Sequence, residues 1–256
     1  MIHGQAQSAQ QHSNLQVRLA IGSNELEQAL RLRYQIFVEE EQNSLLKNDE
    51  GLETDSYDAY CDHLIVKDLD TDQVVGTYRL LPGDRVLGSI GFYSETEFDL
   101  RTYEAYKAKT LELGRSCVHP AYRGGRAIQL LWEGIATYIA ERDYTNLIGC
   151  ASVHVSSLQE LNLMYTLLRH KQMITDQYGI QPLPTHRIHG LRMLDTAIDE
   201  KMLFRSLPPL MKGYGWLGAE IGGEPAYDEL FDTVDYLIIL QKDRVTKRYR
   251  KHFLKQ

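Results

Sequence analysis

Glu112-Leu113-Gly114-Arg115-Ser116-Cys117-Val118-His119-Pro120-Ala121-Tyr122-Arg123, running on into Gly124-Gly125-Arg126, is the stretch from which the fold can be read. Leu111, Leu113, Cys117 and Val118 are the apolar residues of a buried strand, and Glu112 and Arg115 interrupt what would otherwise be core. A charge taken out of water is costly unless partnered, so these two are expected to bond to each other, to neighbours or to a substrate. A structural ion pair that only fixes strand geometry and a functional acid and base both fit this segment.

Pro120 ends the strand, and Ile128, Leu131, Ile135, Tyr138 and Ile139 recur at helical spacing from Ala127 to Arg142. Amides freed by glycine at a helix N-terminus form an anion site, here reinforced by Arg123 and Arg126. A plain strand-to-helix turn explains the same glycine pair.

Working outward, Leu15 to Ile21 suits a first strand, and Asn24 with Glu27 caps a helix with the apolar face Leu26, Leu30, Tyr34 and Phe37. An acidic loop from Asn48 to Asp58 follows. His63 to Lys67 and Val74 to Leu81 flank an Asp-Thr-Asp-Gln turn as a hairpin. Leu147 to Val153 reads as a strand, Ser157 to Arg169 as a helix and Val234 to Leu240 as a late strand. Hairpins before a strand-helix-strand unit predict one α+β domain around a mixed sheet, with neither repeat nor linker.

A chain of 256 residues with 43% hydrophobic content can bury a full core. No apolar run has the length of a bilayer span and the N-terminus shows no signal-peptide core, which predicts a cytoplasmic protein. Residues 1–14, rich in Gln, Ser and His, are expected to be a disordered lead-in to a domain over 15–256. Cys61, Cys117 and Cys150 lack CxxC spacing and read as reduced core thiols. The net charge of -7 argues against general nucleic-acid binding. Lys242 to Lys255 nonetheless holds seven Lys/Arg against one acid, a patch suited to an acidic carrier protein or the anionic inner face of a membrane, or simply a solvated helix.

With these motifs in order, the chain resembles the acyl-transferring branch of the GNAT (Gcn5-related N-acetyltransferase) superfamily, and within it the ornithine-lipid type of N-acyltransferase, a relative of the acyl-homoserine-lactone synthases. The resemblance covers roughly Leu15 to Leu240. It rests on Arg33-Tyr-Gln-Ile-Phe37, Glu53-Thr-Asp55-Ser-Tyr57-Asp58, Asp62-His63-Leu64, Thr77-Tyr-Arg79-Leu-Leu-Pro82 and Glu112-x-x-Arg115. The C-terminal signature is Leu207-Pro208-Pro209-Leu210 through Gly213-Tyr214, Leu217-Gly218 and Gly223-Glu224-Pro225-Ala226-x-Asp228. It implies an α/β/α sandwich around a mixed, largely antiparallel sheet. The implied reaction moves a 3-hydroxyacyl group from a phosphopantetheine thioester to the α-amine of an amino acid such as ornithine, without a metal, a permanent cofactor or a covalent enzyme intermediate.

The roles implied by the resemblance follow residue by residue. Glu112 would accept the amine proton, a task that a burial-raised pKa suits. Arg115 would orient the site or bind a carboxylate, with Arg79 doing similar work. Asp55 and Asp58 would hold a cationic amino acid, Arg33 would brace the acidic loop and Phe37 would pack or line the acyl tunnel. Asp62, His63 and Ser116 complete the substrate set, and Tyr214, Trp216 and Asp228 shape the pocket. Val118, Arg123, Gly124, Gly125 and Arg126 would hold the donor arm. Arg126 and Ile128 stand where acetyl-coenzyme A users carry small residues, and their bulk obstructs approach to a pyrophosphate. Acyl carrier protein, whose arm carries one phosphodiester, is therefore favoured over coenzyme A. Tyr165 sits on the helix where many relatives place the tyrosine that protonates the leaving thiolate, but is read here as an interior structural tyrosine, and His186 and His189 as ordinary histidines without a third ligand. Other readings keep the fold with glycine, tyrosine or another amine as acceptor, use coenzyme A, or reduce the chain to a non-catalytic carrier-binding or membrane-active module.

Overall fold

The computed structural model describes residues 14–195, 201, 204–205, 207 and 209–245. The expected lead-in apart from Asn14, the motif residue Pro208 and the basic stretch beyond Val245 lie outside the described residues. Asn14 itself is tied down, its side chain donating to Asp70 at 2.8 Å and its carbonyl accepting from Leu69 at 3.0 Å.

The strands are β1 (Leu15–Leu19), β2 (Asp62–Asp68), β3 (Gln73–Pro82), β4 (Phe98–Asp99), β5 (Thr110–Val118), β6 (Asn146–Val153), β7 (Ile174–Thr175), β8 (Gln181–Pro182), β9 (Glu220–Gly222), β10 (Ala226–Asp228) and β11 (Thr233–Gln241). The helices are α1 (Gly22–Tyr34), α2 (Gly83–Val86), α3 (Glu104–Lys107), α4 (Arg126–Arg142), α5 (Leu158–His170) and α6 (Pro209–Leu217). The main sheet runs β1-β2-β3-β5-β6-β11-β9-β7, with β10 also on β11 and β4 paired separately with β8. Among the described residues only β5–β6 and β7–β9 are parallel, so the sheet is mixed and mostly antiparallel.

Alternation along β2 and β3 separates the two covering layers. Leu64, Val66 and Val75 face a core shared with α4 and α5, while Ile65 and Val74 face a core shared with Ala29, Leu32 and Ile36. A third cluster, built from Phe92, Phe98, Leu100, Tyr103, Tyr178 and Ile180, covers Leu81, Ile148, Leu237 and Ile239. Among the described residues no helix is long and apolar enough to cross a membrane.

Two local departures from the sequence reading have physical causes. The first helix opens at Gly22, before the expected cap, because Glu25 rather than Glu27 reaches back to the Ile21 amide (2.9 Å). Glu25 is fixed there by Arg18 at 2.5 Å and Lys67 at 3.0 Å, partners that only the folded sheet supplies. The same helix runs on into a π-turn, Gln35–Glu40, which carries Phe37.

Two irregularities in β5 open the sheet. Thr77 pairs with Cys117 and Arg79 with Gly114, so Arg115 and Ser116 together oppose the single residue Tyr78, and Arg115 takes a left-handed φ of 50°. Such a bulge bends the strand and re-aims its side chains. The parallel pairing of β5 with β6 lasts only from Thr110–Asn146 to Glu112–Ile148, after which β5 keeps β3 and β6 keeps β11 as partner. At the last point of approach only glycine fits: a Cβ on Gly149 would sit 2.3 Å from the Leu113 carbonyl oxygen.

Candidate active site

Beyond Gly149 the parted strands enclose a cleft of about 410 Å³. Gly114, Arg115 and Ser116 line it from β5, Tyr78 and Arg79 from β3, Cys150 and Ser152 from β6, and Asp228, Thr233 and Asp235 from β10 and β11. Of the residues expected to form the site, Phe37, Arg79, Glu112, Arg115, Ser116, Tyr214 and Asp228 come together here.

Behind this wall three arginines meet three carboxylates. Arg33 is fully buried and donates to Glu53 (2.5 Å) and to both oxygens of Asp58 (2.7 and 3.2 Å). Arg79 reaches Asp55 at 2.6 Å and Asp58 at 3.3 Å, and Arg115 reaches Glu53 at 3.0 Å and Asp55 at 3.1 Å. Desolvation pushes the Asp58 carboxyl up, but the Arg33 hydrogen bonds and the charges of Arg33 and Arg79 outweigh it and leave the pKa below the usual carboxylate range. Arg115 is also held between the rings of Tyr93 and Phe231, at 4.5 and 4.7 Å from their centroids.

This network revises several expected roles. Asp55 and Asp58 are matched by arginine and have no spare charge for a cationic substrate. The Arg115 fork is turned to protein carboxylates rather than to an incoming one. Asp62 lies elsewhere, accepting from Arg85 at 2.9 and 2.8 Å and from Tyr138 at 2.6 Å. His63 is buried and outside the cleft lining. Its Nε2 lies 3.4 Å from the Asp58 carbonyl, and desolvation lowers its pKa.

Glu112 forms no pair with Arg115. Its Oε2 accepts from the Tyr93 amide (2.6 Å), and its Oε1 from both the amide (2.8 Å) and the hydroxyl of Ser94. Burial raises its pKa, against the pull of these hydrogen bonds. A carboxylate oxygen offers two lone pairs, so Oε2 keeps one open. The raised pKa and the open lone pair suit a group that accepts a proton.

The opposite wall is acidic. Asp235 accepts from Thr233 at 2.8 Å and Ser152 at 3.2 Å, and Asp228 accepts from the amides of Leu230 (2.8 Å) and Phe231 (3.2 Å). Glu97 lies behind them, 1% exposed, with Oε2 3.9 Å from the Cys150 thiol. Desolvation first, and then neighbouring carboxylates, push Glu97 up, and desolvation pushes Asp235 up against its hydrogen bonds from Thr233 and Ser152. The sequence reading missed Tyr93, Ser94, Glu97 and Asp235, and treated Cys150 only as a core thiol. Tyr78, Leu113, Ser116 and Tyr214 also line the cleft.

The expected donor turn stands outside the lining residues. Gly125 (φ 98°) starts α4, and a Cβ at Gly124 or Gly125 would meet nothing within 4 Å. Arg123 is engaged with Glu40 at 2.6 and 2.9 Å and with the Val118 carbonyl at 3.1 Å, while Arg126 points to Glu133 at 3.5 Å. Tyr165 is buried and bonded to Arg169 at 3.0 Å, and His189 is exposed. Trp216 is 55% exposed and does not line the cleft.

Comparison with known proteins gives the family and the fold. The family described as acetyltransferase (GNAT) domain matches residues 32–133. L-ornithine N(alpha)-acyltransferase of Brucella abortus (strain 2308) is 36% identical over 94% of this chain and 89% of its own. The protein of that name from Rhizobium meliloti (strain 1021) is 36% identical over 94% and 84%, and that from Rhodobacter capsulatus 32% identical over 94% and 95%. Among solved structures, the CoA-dependent acyl-homoserine lactone synthase BjaI with SAM and isopentyl-CoA superposes with a TM-score of 0.52 at 17% identity, covering 91% of this chain and 81% of that one. At that identity the likeness concerns the fold.

Proposed function

This chain belongs to the L-ornithine N(alpha)-acyltransferases, enzymes built on a GNAT domain, and on that footing we propose that it transfers a 3-hydroxyacyl group from an acyl-carrier-protein thioester to the α-amine of ornithine. The observation that carries the reading is the cleft itself. It opens where β5 and β6 part, and it brings a buried, proton-hungry Glu112 and an acidic wall to the same space.

Glu112 Oε2 takes a proton from the ammonium, directly or through one water, and the freed amine attacks the thioester carbonyl. The amide bond forms as the carrier thiol leaves. The facing edges of β5 beyond Glu112 and β6 beyond Ile148 have backbone groups not paired to each other, and an amide-bearing pantetheine arm would satisfy them as an added strand would. Arg79 and Arg115, locked by Glu53, Asp55 and Asp58, hold their wall of the cleft in a fixed geometry. Tyr78, Leu113 and Tyr214 give the acyl chain its apolar entry. The side chains of Arg126 and Ile128 favour the single phosphate of a carrier arm over a pyrophosphate, and a carrier protein as donor implies a cytoplasmic site of action, at the inner membrane face where the lipid product inserts.

The test combines purified protein, a 3-hydroxyacyl thioester on carrier protein or coenzyme A, and single amino acids, with thiol release as the readout. Release with the carrier thioester and ornithine is expected. Release from coenzyme A alone would overturn the donor assignment, and release with no amine would end the transferase reading.

A further inference from the structure

The charges around the cleft do not balance evenly. Glu53, Asp55 and Asp58 are each paired with arginine, whereas Glu97, Asp228 and Asp235 show no basic partner among the described residues. Burying carboxylates without a cation is costly, and such groups either keep a proton or meet a cation from outside the chain. A second observation indicates a ligand. Glu97 Oε1 is buried without a hydrogen-bond partner among the described residues, and Glu97, Cys150 and Asp235 each bring a polar atom within 4.8 Å of the others.

Position adds to this. Ser94 links the two acidic ends of the cleft: its hydroxyl donates to Glu112 and lies 3.6 Å from Cys150 Sγ, which in turn lies 3.9 Å from Glu97 Oε2. Glu112 and Asp235 both line the cleft, with Glu97 behind Asp235, so the two acidic ends are open to the two amines of one short chain. Resting on the N-acyltransfer reading, we propose that the carboxylates of Glu97 and Asp235, with Asp228 beside them, receive the side-chain ammonium of a diamino acid and so set the preference for a cationic over a neutral acceptor. An ammonium, with three donors, matches the orphaned Glu97 oxygen and the remaining Asp235 lone pairs. A metal ion is a poorer match, since burial holds the Cys150 thiol protonated and a coordinating sulfur must be a thiolate.

The experiment measures kcat/KM for ornithine and for norvaline, its analogue ending in a methyl group, in the wild type, Glu97→Gln and Asp235→Asn. The ornithine-to-norvaline ratio is expected to fall by roughly 30-fold or more in each variant, as for truncation of a buried charge pair. A parallel fall for both substrates, or a wild type that takes norvaline as readily as ornithine, would overturn the proposal and leave N-acyl transfer standing. Loss of ornithine acylation on EDTA dialysis with recovery on adding zinc would also overturn it. Calorimetry on the wild type decides the matter if the variants fail to fold or no acceptor is acylated. Ornithine should bind more tightly than norvaline and release protons, seen as heats that depend on buffer ionisation. Equal binding of the two, or binding of neither, overturns the proposal.

Discussion

Replacing Arg33 by Met removes a fully buried cation behind the cleft and leaves Glu53 and Asp58, whose side chains are 3% and 9% exposed, each with one arginine fewer. Breaking a buried pair by removing a single partner costs about 3–5 kcal/mol, because the stranded charge cannot return to water. The two carboxylates do not double the figure, since Arg115 still serves Glu53 and Arg79 still serves Asp58. At about 2–4 °C per kcal/mol for a chain of this size, the melting temperature should drop by roughly 6–20 °C. Urea denaturation at constant m-value measures the loss directly. The companion is Arg33→Met with Glu53→Gln, which removes one of the stranded charges and should recover part of the loss. The cycle should give a coupling of about 0.5–3 kcal/mol. A single variant within about 1 kcal/mol of wild type, or a double variant whose loss is the plain sum of the two singles, would refute the reasoning that these groups act as one buried unit.

Glu112→Gln should lower kcat by about 10²-fold or more with the circular dichroism unchanged, and unaltered turnover would remove Glu112 from the base role. Because burial raises the Glu112 pKa, wild-type kcat should climb with pH through a value above the ordinary carboxylate range, and the variant should lose that limb. Glu97 is raised from 4.5 in the folded state, so the native protein holds its proton longer than the unfolded chain and stability falls as pH rises above about 4.5. Glu97→Gln should flatten that fall in melts run from pH 5 to 9, and an unchanged slope would contradict the assignment. Gly149→Ala places a Cβ against the Leu113 carbonyl, a backbone atom that cannot swing aside, and should cost about 1–3 kcal/mol in denaturant titrations. An alanine variant of wild-type stability would mean that the two strands separate freely at that point.

The strands and helices with a clear period were legible: the hairpin of β2 and β3, the strand-helix-strand run of β5, α4 and β6, and the late strand β11. The segment between β3 and β5 was not. It folds through α2, α3, short 3-10 turns and the two-residue β4, none long enough to show a period, yet it delivers Tyr93, Ser94 and Glu97. Asp55 and Asp58 illustrate a different limit. A loop acid reads as solvated or as a ligand-binding group, and the arginines that neutralise it come from α1, β3 and β5, far away in the chain. Asp235 was within reach. An acid inside the apolar run Thr233–Gln241 is the same signal that singled out Glu112 in β5.

Arg115 stands in a backbone conformation that favours glycine while its side chain serves two acids and two rings. Glycine would relax the main chain and empty the space, and lysine would keep the charge but lose the planar fork. No one-step exchange satisfies both demands. In diverging copies of this gene, the codons for Glu53, Asp55, Tyr93, Arg115 and Phe231 should therefore drift as a block or not at all.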